Sequence, residues 1–457
     1  MSDSPTPPEL VSPASTFPTS RRGSADIAAR PVASGADWLR ATDSAPAALW
    51  PAVRWSLAFV ALLVYLAVIV TYRFPIGDVA MGAALIGLAF EPKGVRWSGF
   101  WLLMVALLLW AALGYLVSPW PWAVMNSLET LWKLVLIMLV VVTVLNDRSR
   151  IRVFLLAFVL FYAMYPARGA LFNYFLGGYT IFGRAVWNHI YRNPNDLAAL
   201  TLLALSMASG LLVTERNRLI KKAAFAAVVV LALIVLLTQS RGAFVGLAVF
   251  GLFALMGQRS KARVIAMLCV VLVGAVLLLP DTAWSRFGMV AQIGRQGSES
   301  LSTLDDKGSA EQRFAIWRTA VRIIKDHPVT GVGLGAYGPA NARYSPELGG
   351  RDTHSTYLNV LAEQGVPGLL LLFTLIVSVV IPAERVRRQL KELRPHSARQ
   401  LLLLELGLLA FLVAGIFASY ARLTFFYLHL AVIWALARAH QQELRRGLRP
   451  APHPGVR

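Results

Sequence analysis

His354 is the residue whose position most directly suggests proton-transfer chemistry. It begins the stretch HSTYLNVLAEQG, which joins a polar segment to a long apolar run. Asp352, Thr353 and Ser355 are residue types that cap helices. Tyr357 and Leu358 follow His354 at i+3 and i+4, on the same helical face. The pattern therefore predicts His354 in the first turn of a helix at a membrane surface. A helix N-terminus disfavours an imidazolium, so the neutral ring can accept a proton near pH 7, with a capping or packing role as the alternative. Gly365 is predicted to end this helix and Pro367 to begin the next.

Arg313 lies in an amphipathic stretch that predicts a helix over Ser309–Asp326. The apolar stripe of this helix is predicted to contain Phe314, Trp317, Ala320, Val321 and Ile324. Arg313 falls at the edge of the stripe, where a basic side chain either snorkels or points into a cleft and meets an anion. The glycine-rich run HPVTGVGLG follows, and glycines allow a close approach to a phosphate.

Arg241 belongs to TQSRGAFVG, which links two apolar runs with almost no loop between them. Ionisable residues at membrane depth are costly and often functional, and an interfacial anchor is the alternative. Lys133 is another charge within an apolar run, but Glu129 precedes it by one helical turn. That spacing predicts a structural ion pair.

The motif RNPNDLA begins at Arg192 and precedes another apolar run. Its Asn-Pro step marks a turn, and either Asn195 or Asp196 is predicted to cap the following helix. Capping is therefore the favoured role for the polar residues of this motif.

Several classes of site are excluded by what the sequence lacks. The three histidines predicted to face outward are His189, His327 and His354, and they show no metal-ligand spacing. No Asp-x-Asp, His-Glu-x-x-His, Walker or Gly-x-Ser-x-Gly motif occurs. The single cysteine excludes a disulfide within the chain. We therefore expect no metal and no cofactor.

The elements that must position these residues are apolar helices. The chain has 457 residues, of which 57% are hydrophobic and only 15% charged, and a mean hydropathy of +0.59. This composition predicts an all-α polytopic membrane protein. About twelve transmembrane helices are predicted, at residues 52–72, 76–91, 97–117, 124–145, 151–172, 196–214, 221–238, 242–257, 263–280, 366–383, 400–419 and 423–439.

Basic residues concentrate in alternate loops, so we attribute the net charge of +20 to membrane topology and not to nucleic-acid binding. The positive-inside rule then places both termini in the cytoplasm. The predicted organisation is a disordered cytoplasmic tail (1–50), nine transmembrane helices (51–280), a large helical periplasmic loop carrying catalytic residues (281–365), three further transmembrane helices (366–440) and a second cytoplasmic tail (441–457). A smaller outer segment runs from about residue 166 to 195.

Taken together, these motifs resemble the O-antigen ligase and O-antigen polymerase superfamily over roughly residues 190–385. The order and spacing that carry the resemblance are those of RNPNDLA, TQSRG, QRFAIW, HPVTGVGLG and DTHSTYLNVLAEQGVPG. The most recognisable pattern is H-[NS]-x-x-L-x-x-x-x-E-x-G, represented by His354, Ser355, Leu358, Glu363 and Gly365. The first 180 residues support only a multi-span membrane protein.

The chain looks most like a lipopolysaccharide O-antigen ligase, and the following expectations come from that resemblance. It implies a membrane-embedded, GT-C-like, inverting glycosyltransferase of the cell inner membrane. The enzyme would move a glycan from undecaprenyl diphosphate to a sugar of lipid A–core on the periplasmic side, without a metal or nucleotide. His354 would be the general base, and Arg241 and Arg313 would bind the diphosphate and stabilise the leaving group. Substrate contacts are also assigned to the other motif residues Arg192, Gln239, Trp317 and Tyr357.

Other functions stay open. An O-antigen polymerase would use the same donor with a lipid-linked glycan as acceptor, and a protein O-oligosaccharyltransferase would use a Ser or Thr. A transporter of a lipid-linked anion is a different class, although we see no internal repeat of the kind common in transporters. The sequence does not indicate which glycan is moved, which core sugar accepts it or whether the protein self-associates.

Overall fold

The computed structural model describes Arg40, Asp43, residues 53–256 and residues 309–447. Within these residues the protein is helical, and no β-strand longer than an isolated bridge occurs. The α-helices, in chain order, are α1 (Leu57–Thr71), α2 (Gly77–Leu88), α3 (Gly99–Val117), α4 (Pro121–Val144), α5 (Arg148–Tyr162), α6 (Arg168–Phe175), α7 (Pro194–Thr214), α8 (Arg218–Leu237), α9 (Arg241–Met256), α10 (Ser309–Asp326), α11 (Tyr337–Tyr344), α12 (Thr356–Leu393), α13 (Pro395–Ala414) and α14 (Thr424–Gly447). A π-helical turn, Ala163–Ala167, joins α5 to α6, and a 3-10 turn, His189–Arg192, precedes α7.

Seven helical segments of the described residues are long and apolar enough to cross a membrane. They are α3, α4, the continuous α5–α6 segment, α7, α8, α12 and α13, while α1, α2 and α9 are shorter apolar helices. Every predicted span within the described residues overlaps a helix, but the predicted span 263–280 lies outside them. The count of twelve and the GT-C-like fold therefore stay predictions. The outer segment predicted from residue 166 begins inside a helix, because α6 continues the α5 direction to Phe175.

Small residues let the central helices α7, α9 and α13 approach one another closely. A Cβ added at Gly407 of α13 would lie 2.2 Å from Ser206 of α7. A Cβ added at Gly246 of α9 would lie 2.6 Å from the carbonyl oxygen of Ala410. Helices without a hydrophobic driving force between them associate by this kind of close van der Waals packing. The packing fixes the start of α9 against the C-terminal end of α13.

Buried ion pairs tie the helix ends at the side of the molecule away from His354. Arg152 donates from Nε and Nη2 to the two carboxylate oxygens of Glu215, at 2.6 and 2.9 Å. Arg150 pairs with Glu91 at 3.2 Å, with both side chains almost fully buried. A buried charge is tolerated only when paired, so these arginines have a structural role besides any contribution to topology.

The predicted ion pair between Lys133 and Glu129 is confirmed, with 3.2 Å between Nζ and Oε1. Lys133 also pairs with Asp78 of α2 at 3.1 Å, a partner that the sequence did not indicate. The lysine therefore joins α4 to α2 as well as bridging one turn of its own helix.

Only Arg40 and Asp43 are described in the segment predicted to be a disordered tail. Asp43 is buried, and its carboxylate accepts the backbone N–H groups of His396 and Ser397 at 2.9 and 3.0 Å. These donors belong to the first turn of α13, where backbone N–H groups have no partner within the helix. Asp43 thus caps α13 from a distant part of the sequence.

The amphipathic helix α10 has the predicted bounds, Ser309–Asp326, but its buried face differs from the predicted stripe. Ile316, Ala320 and Ile323 are buried, whereas Phe314 is 48% exposed and Val321 is 43% exposed. The reason is a polar residue on the packed face. Thr319 is buried because its hydroxyl lies 2.8 Å from the hydroxyl of Ser345 beyond α11, and apolar periodicity does not detect that contact.

Gly365 divides α12, and the predicted break there is confirmed. Its φ of 65° and ψ of −170° are not helical, and the backbone N–H of Val366 donates to the Pro328 carbonyl at 2.9 Å instead of to its own helix. A Cβ at Gly365 would lie 2.0 Å from the carbonyl oxygen of Val329. The loop after α10 therefore packs directly against the backbone of this glycine.

We predict that Gly365→Ala destabilises the fold far more than Gly349→Ala. Both glycines have a φ near +65°, so each alanine has a conformational penalty of about 1–2 kcal/mol. Only Gly365 has backbone atoms in the space of the new methyl group, whereas nothing lies within 4 Å of that position at Gly349. Thermal unfolding of both purified variants in detergent checks this, and equal losses would contradict the packing described for Gly365.

Candidate functional site

His354 lies just before α12, so its predicted place in the first helical turn is wrong. The helix begins at Thr356, and Ser355 is an extended N-cap residue with no side-chain capping bond. His354 itself has a φ of 49°, in the left-handed region that non-glycine residues rarely adopt. The hydroxyl of Thr353 donates to the Ser355 carbonyl at 3.0 Å, which folds these residues into a turn ahead of the helix. Such strain occurs often at functional sites.

The residues after His354 are held by the segment between α13 and α14, residues 415–423, here called the α13–α14 turn. The backbone N–H of Thr356 donates to the Gly415 carbonyl at 2.8 Å. The Thr356 hydroxyl donates to the Ala418 carbonyl at 2.7 Å and accepts the backbone N–H of Tyr420 at 2.9 Å. Three hydrogen bonds from one residue therefore fix where α12 begins.

The residue before His354 is held from two other directions. Trp317 of α10 donates its indole N–H to the Thr353 carbonyl at 2.9 Å. The hydroxyls of Thr353 and Ser419 lie 2.9 Å apart, and Thr353 is fully buried. The predicted substrate residue Trp317 thus has a positioning role, because it joins α10, which carries Arg313, to the His354 turn.

Burial and nearby charge both act on His354. Burial lowers the pKa of the imidazole below its usual 6.5, and the positive charges of Arg313 and Arg351 lower it further, while Asp352 acts in the opposite direction. The neutral ring is therefore favoured at pH 7. The charge of Arg313 therefore acts on His354, while their predicted roles in catalysis stay predictions.

Arg241 is the first residue of α9, and the start of α9 lies against the α13–α14 turn. A Cβ added at Gly242 would lie 3.0 Å from the ring of Phe417, so the start of α9 touches this turn directly. Gln239, which precedes α9, has a φ of 51° and donates its amide to the Gly183 carbonyl at 2.9 Å. Its buried side-chain oxygen has no hydrogen-bond partner among the described residues. This oxygen can accept a hydrogen bond from a ligand.

Arg184 is a cationic residue of this region that the sequence analysis did not select. Its Nε donates to the Thr238 carbonyl and its Nη2 to Oδ1 of Asn195, each at 2.7 Å. It therefore links the turn before Arg241 to the start of α7. The only sequence signal was its place in the longer outer segment before residue 195, because no motif marks it.

Tyr420 connects these cations to the His354 turn. Its hydroxyl donates to the Asn195 carbonyl at 2.8 Å. Burial raises the pKa of this phenol well above its usual value, and Asp196 raises it further, while Arg184 and Arg313 act in the opposite direction. Two arginines from different parts of the chain thus lie near one buried tyrosine.

Two of the predicted substrate residues do not join this cluster. Arg192 is exposed at the end of the 3-10 turn, and no described residue forms an ion pair with it. Tyr357 packs within the helices, since its hydroxyl donates to the Leu412 carbonyl at 2.8 Å and its ring stacks on Phe373. The predicted capping residue was also wrong, because Asn193 caps α7 by accepting the backbone N–H of Asn195 at 2.9 Å.

The glycine-rich run after α10 packs closely against other parts of the protein, although the sequence suggested a phosphate. A Cβ at Gly331 would lie 2.3 Å from the Glu363 carbonyl carbon, and one at Gly335 would lie 1.9 Å from the Ser127 hydroxyl oxygen. Both glycines have positive φ. These positions need glycine because the loop passes between α4 and α12 with no space for a side chain.

A cavity of about 340 Å³ lies between α3, α4, α12 and α14. Its polar lining residues include Asn126, Ser127, Asn359, the buried Glu363 and Arg422, and leucine side chains also line it. The backbone N–H of Asn359 donates to the Ser355 carbonyl, so the wall is continuous with the turn that holds His354. Amide, hydroxyl and carboxylate groups beside apolar walls can bind a molecule rich in hydroxyl groups.

The part of the chain that the structure describes contains no group of three or more His, Cys, Asp or Glu residues that could hold a metal ion. The region around His354 combines a neutral imidazole with arginines and with the carboxylates of Asp352 and Asp196. This chemistry suits an anionic leaving group and a hydroxyl nucleophile. The absence of a metal requirement stays a prediction.

Comparison with known proteins gives two family matches. Residues 226–373 match the family described as O-Antigen ligase, a range that includes Gln239, Arg241, Arg313, Trp317 and His354. Residues 56–186 match a family of unknown function (DUF5935), which covers α1 to α6 and Arg184. A search of curated proteins found no match. The resemblance inferred from the motifs is confirmed over the first of these ranges.

We predict opposite changes in the pKa of His354 when its charged neighbours are neutralised. Arg313→Gln removes a positive charge that lowers the pKa, so the pKa should rise, whereas Asp352→Asn should lower it. The measurement is NMR titration of ¹³C-labelled histidine, with the His354 signal assigned from its loss in His354→Gln. Arg318→Gln is the control, because Arg318 is exposed on α10 and is not among the charges that act on His354. An unchanged pKa in both neighbour variants would contradict the described geometry.

Proposed function

We propose that this protein, a member of the O-antigen ligase superfamily through its domain at residues 226–373, is an O-antigen ligase. It transfers a glycan from undecaprenyl diphosphate to a sugar hydroxyl of lipid A–core. The observation that carries the proposal is the turn at His354, where a neutral imidazole is held near Arg351 of the same segment and Arg313 of α10, with Asp352 also close by. A proton acceptor next to cations is what attack by a hydroxyl on a glycosyl diphosphate needs.

In the proposed reaction, His354 accepts the proton of the acceptor hydroxyl as its oxygen attacks the anomeric carbon. The new carbon–oxygen bond forms on the face opposite the diphosphate, and the bond from the anomeric carbon to the diphosphate oxygen breaks. The electron pair remains on the diphosphate, so the product has inverted configuration. Arg241 and Arg313 stabilise the negative charge that develops there, because guanidinium groups meet phosphate oxygens with two parallel hydrogen bonds.

Donor binding also adjusts the base in this proposal. Arg313 lowers the pKa of His354 in the free protein. A diphosphate bound at Arg313 offsets that positive charge and raises the basicity of His354 while the donor is in place. The general base is then strongest when a glycan is available for transfer, which limits proton uptake in the empty site.

The same chemistry fits the two related transferases, which differ in the acceptor. A polymerase would present a sugar hydroxyl of a second lipid-linked glycan, and a protein O-oligosaccharyltransferase would present a Ser or Thr hydroxyl. The ligase is preferred on the match to the O-Antigen ligase family. A transporter of a lipid-linked anion has no need of a histidine held neutral beside arginines, so it ranks below all three.

We propose that the end of the bundle that carries His354 faces the periplasm and that both termini are cytoplasmic. The supporting observation is the distribution of basic residues between apolar segments, which places alternate loops on the cytoplasmic side. The donor's polyprenyl tail then lies among membrane lipids while its diphosphate meets the arginines at the interface.

We predict that His354→Ala and Arg241→Ala fail in different ways in a purified transfer assay. The assay combines the protein with undecaprenyl-diphosphate-linked glycan and lipid A–core, without added metal. Loss of the general base should lower kcat by about 10²–10⁴-fold with little change in donor affinity. Arg241→Ala should weaken donor binding as well as lower the rate, because the diphosphate charge exists before the transition state.

Arg318→Ala is the matched control, since Arg318 is exposed on α10, the helix of Arg313, and is not among the charges that act on His354. Near-normal turnover in His354→Ala would remove His354 from the base role. Elongation of the lipid-linked glycan in place of transfer to lipid A–core would identify a polymerase. No transfer from folded protein to any acceptor would reject the glycosyltransferase assignment.

A further inference from the structure

A second cationic cavity lies at the other end of the helix bundle. It has a volume of about 310 Å³ and is formed by the residues just before and at the start of α3 and by one face of α14. Its lining residues are Arg96, Trp97, Ser98, Gly99, Trp434, Arg438 and Gln442. None of them belongs to the cluster around His354.

The length of α3 separates this cavity from the proposed active site. α3 has 19 residues, so its two ends are about 28 Å apart. Ser118, just beyond its C-terminal end, donates its hydroxyl to the Val332 carbonyl in the loop between α10 and α11. Arg96 and Ser98 lie at the opposite, N-terminal end. The cavity is therefore close to the other membrane surface.

Two arginines, Arg96 and Arg438, face this cavity. The pKa of Arg96 is lowered by its burial and by the positive charge of Arg438, while Asp147 acts in the opposite direction. Asp147 already accepts the backbone N–H of Arg150 at 2.9 Å as the cap of α5. Within the described residues neither Arg96 nor Arg438 forms an ion pair. An anion between the two guanidinium groups would remove their repulsion.

The rest of the lining favours a phosphate group at a membrane surface. The cavity borders the N-terminus of α3, where Ser98 accepts the backbone N–H of Trp101 at 3.1 Å, and a helix N-terminus favours negative charge. Trp97 is 68% exposed beside the cavity, and Trp434 packs under the guanidinium of Arg438 at 5.8 Å. Tryptophan is enriched at the interface between lipid headgroups and acyl chains.

We propose that this cavity binds the phosphate of an anionic phospholipid headgroup between Arg96 and Arg438. Each guanidinium group can donate two parallel hydrogen bonds to the phosphodiester, and the side chain of Gln442 adds an amide donor. The exposed ring of Trp97 lies where the glycerol and upper acyl chain of the lipid would emerge. A free phosphate shares the headgroup chemistry but gains nothing from this aromatic and apolar border, so a lipid is the better fit. The bound lipid would join α3 to α14 at the surface opposite the transfer site.

The test measures binding of phosphatidylglycerol to purified, delipidated protein by native mass spectrometry, with phosphatidylcholine as the zwitterionic comparison. The wild-type protein should retain phosphatidylglycerol preferentially, and Arg96→Gln together with Arg438→Gln should weaken it by at least about tenfold. Lys93→Gln is the matched control, because Lys93 is an exposed cation of the same loop that does not line the cavity.

The single variants Arg96→Gln and Arg438→Gln are measured in parallel, so that misfolding of the double variant does not decide the result. Each should weaken lipid binding without lowering the unfolding temperature in lipid-free detergent. Equal retention of phosphatidylglycerol in wild type and both single variants would overturn the proposal. Inorganic phosphate that binds these arginines and displaces the lipid at equal concentration would assign the site to a free anion and also overturn it.

Discussion

The hydrogen bonding of Thr356 to the α13–α14 turn is the constraint on which the rest of the site depends. One residue uses its backbone N–H and its hydroxyl to contact Gly415, Ala418 and Tyr420. This fixes the start of α12 and leaves His354 just outside the helix in a left-handed conformation. The same turn touches the start of α9, so Arg241 is placed by the element that places His354. Contacts between distant segments thus place the start of α9 and the His354 turn against one element, the α13–α14 turn.

The electrostatic character of the cluster follows from that arrangement. A histidine in the first turn of a helix would be held neutral by the helix dipole alone. Here burial and the neighbouring arginines keep it neutral, while Asp352 limits the shift. Arg184 and Tyr420 both bond to Asn195, and the carboxylates of Asp196 and Asp352 also act on this region. In the proposed reaction, the arginines stabilise the charge of the diphosphate, and the neutral imidazole is the proton acceptor.

Local sequence signals predicted the features that depend on contacts between residues close together in the sequence. The bounds of α10, the break at Gly365 and the pair between Lys133 and Glu129 all follow from helical periodicity, glycine conformation or i,i+4 spacing. The conformation of His354 did not follow, because it depends on hydrogen bonds to a turn about sixty residues later. Arg184 was missed for the same reason, since its partners at Thr238 and Asn195 are brought near only by folding. Apolar periodicity likewise misplaced the buried face of α10, where the hydroxyl pair of Thr319 and Ser345 decides the packing.

The central claim is that the neutral imidazole of His354 removes the acceptor proton, and the pH dependence of kcat/KM for transfer tests it most directly. A base whose pKa is lowered loses activity only as the pH falls through that lowered value. Our account predicts a plateau near pH 7, an acidic limb with its midpoint below 6.5, and a low residual rate without this limb in His354→Gln. The same acidic limb with an undiminished plateau in His354→Gln would contradict the account.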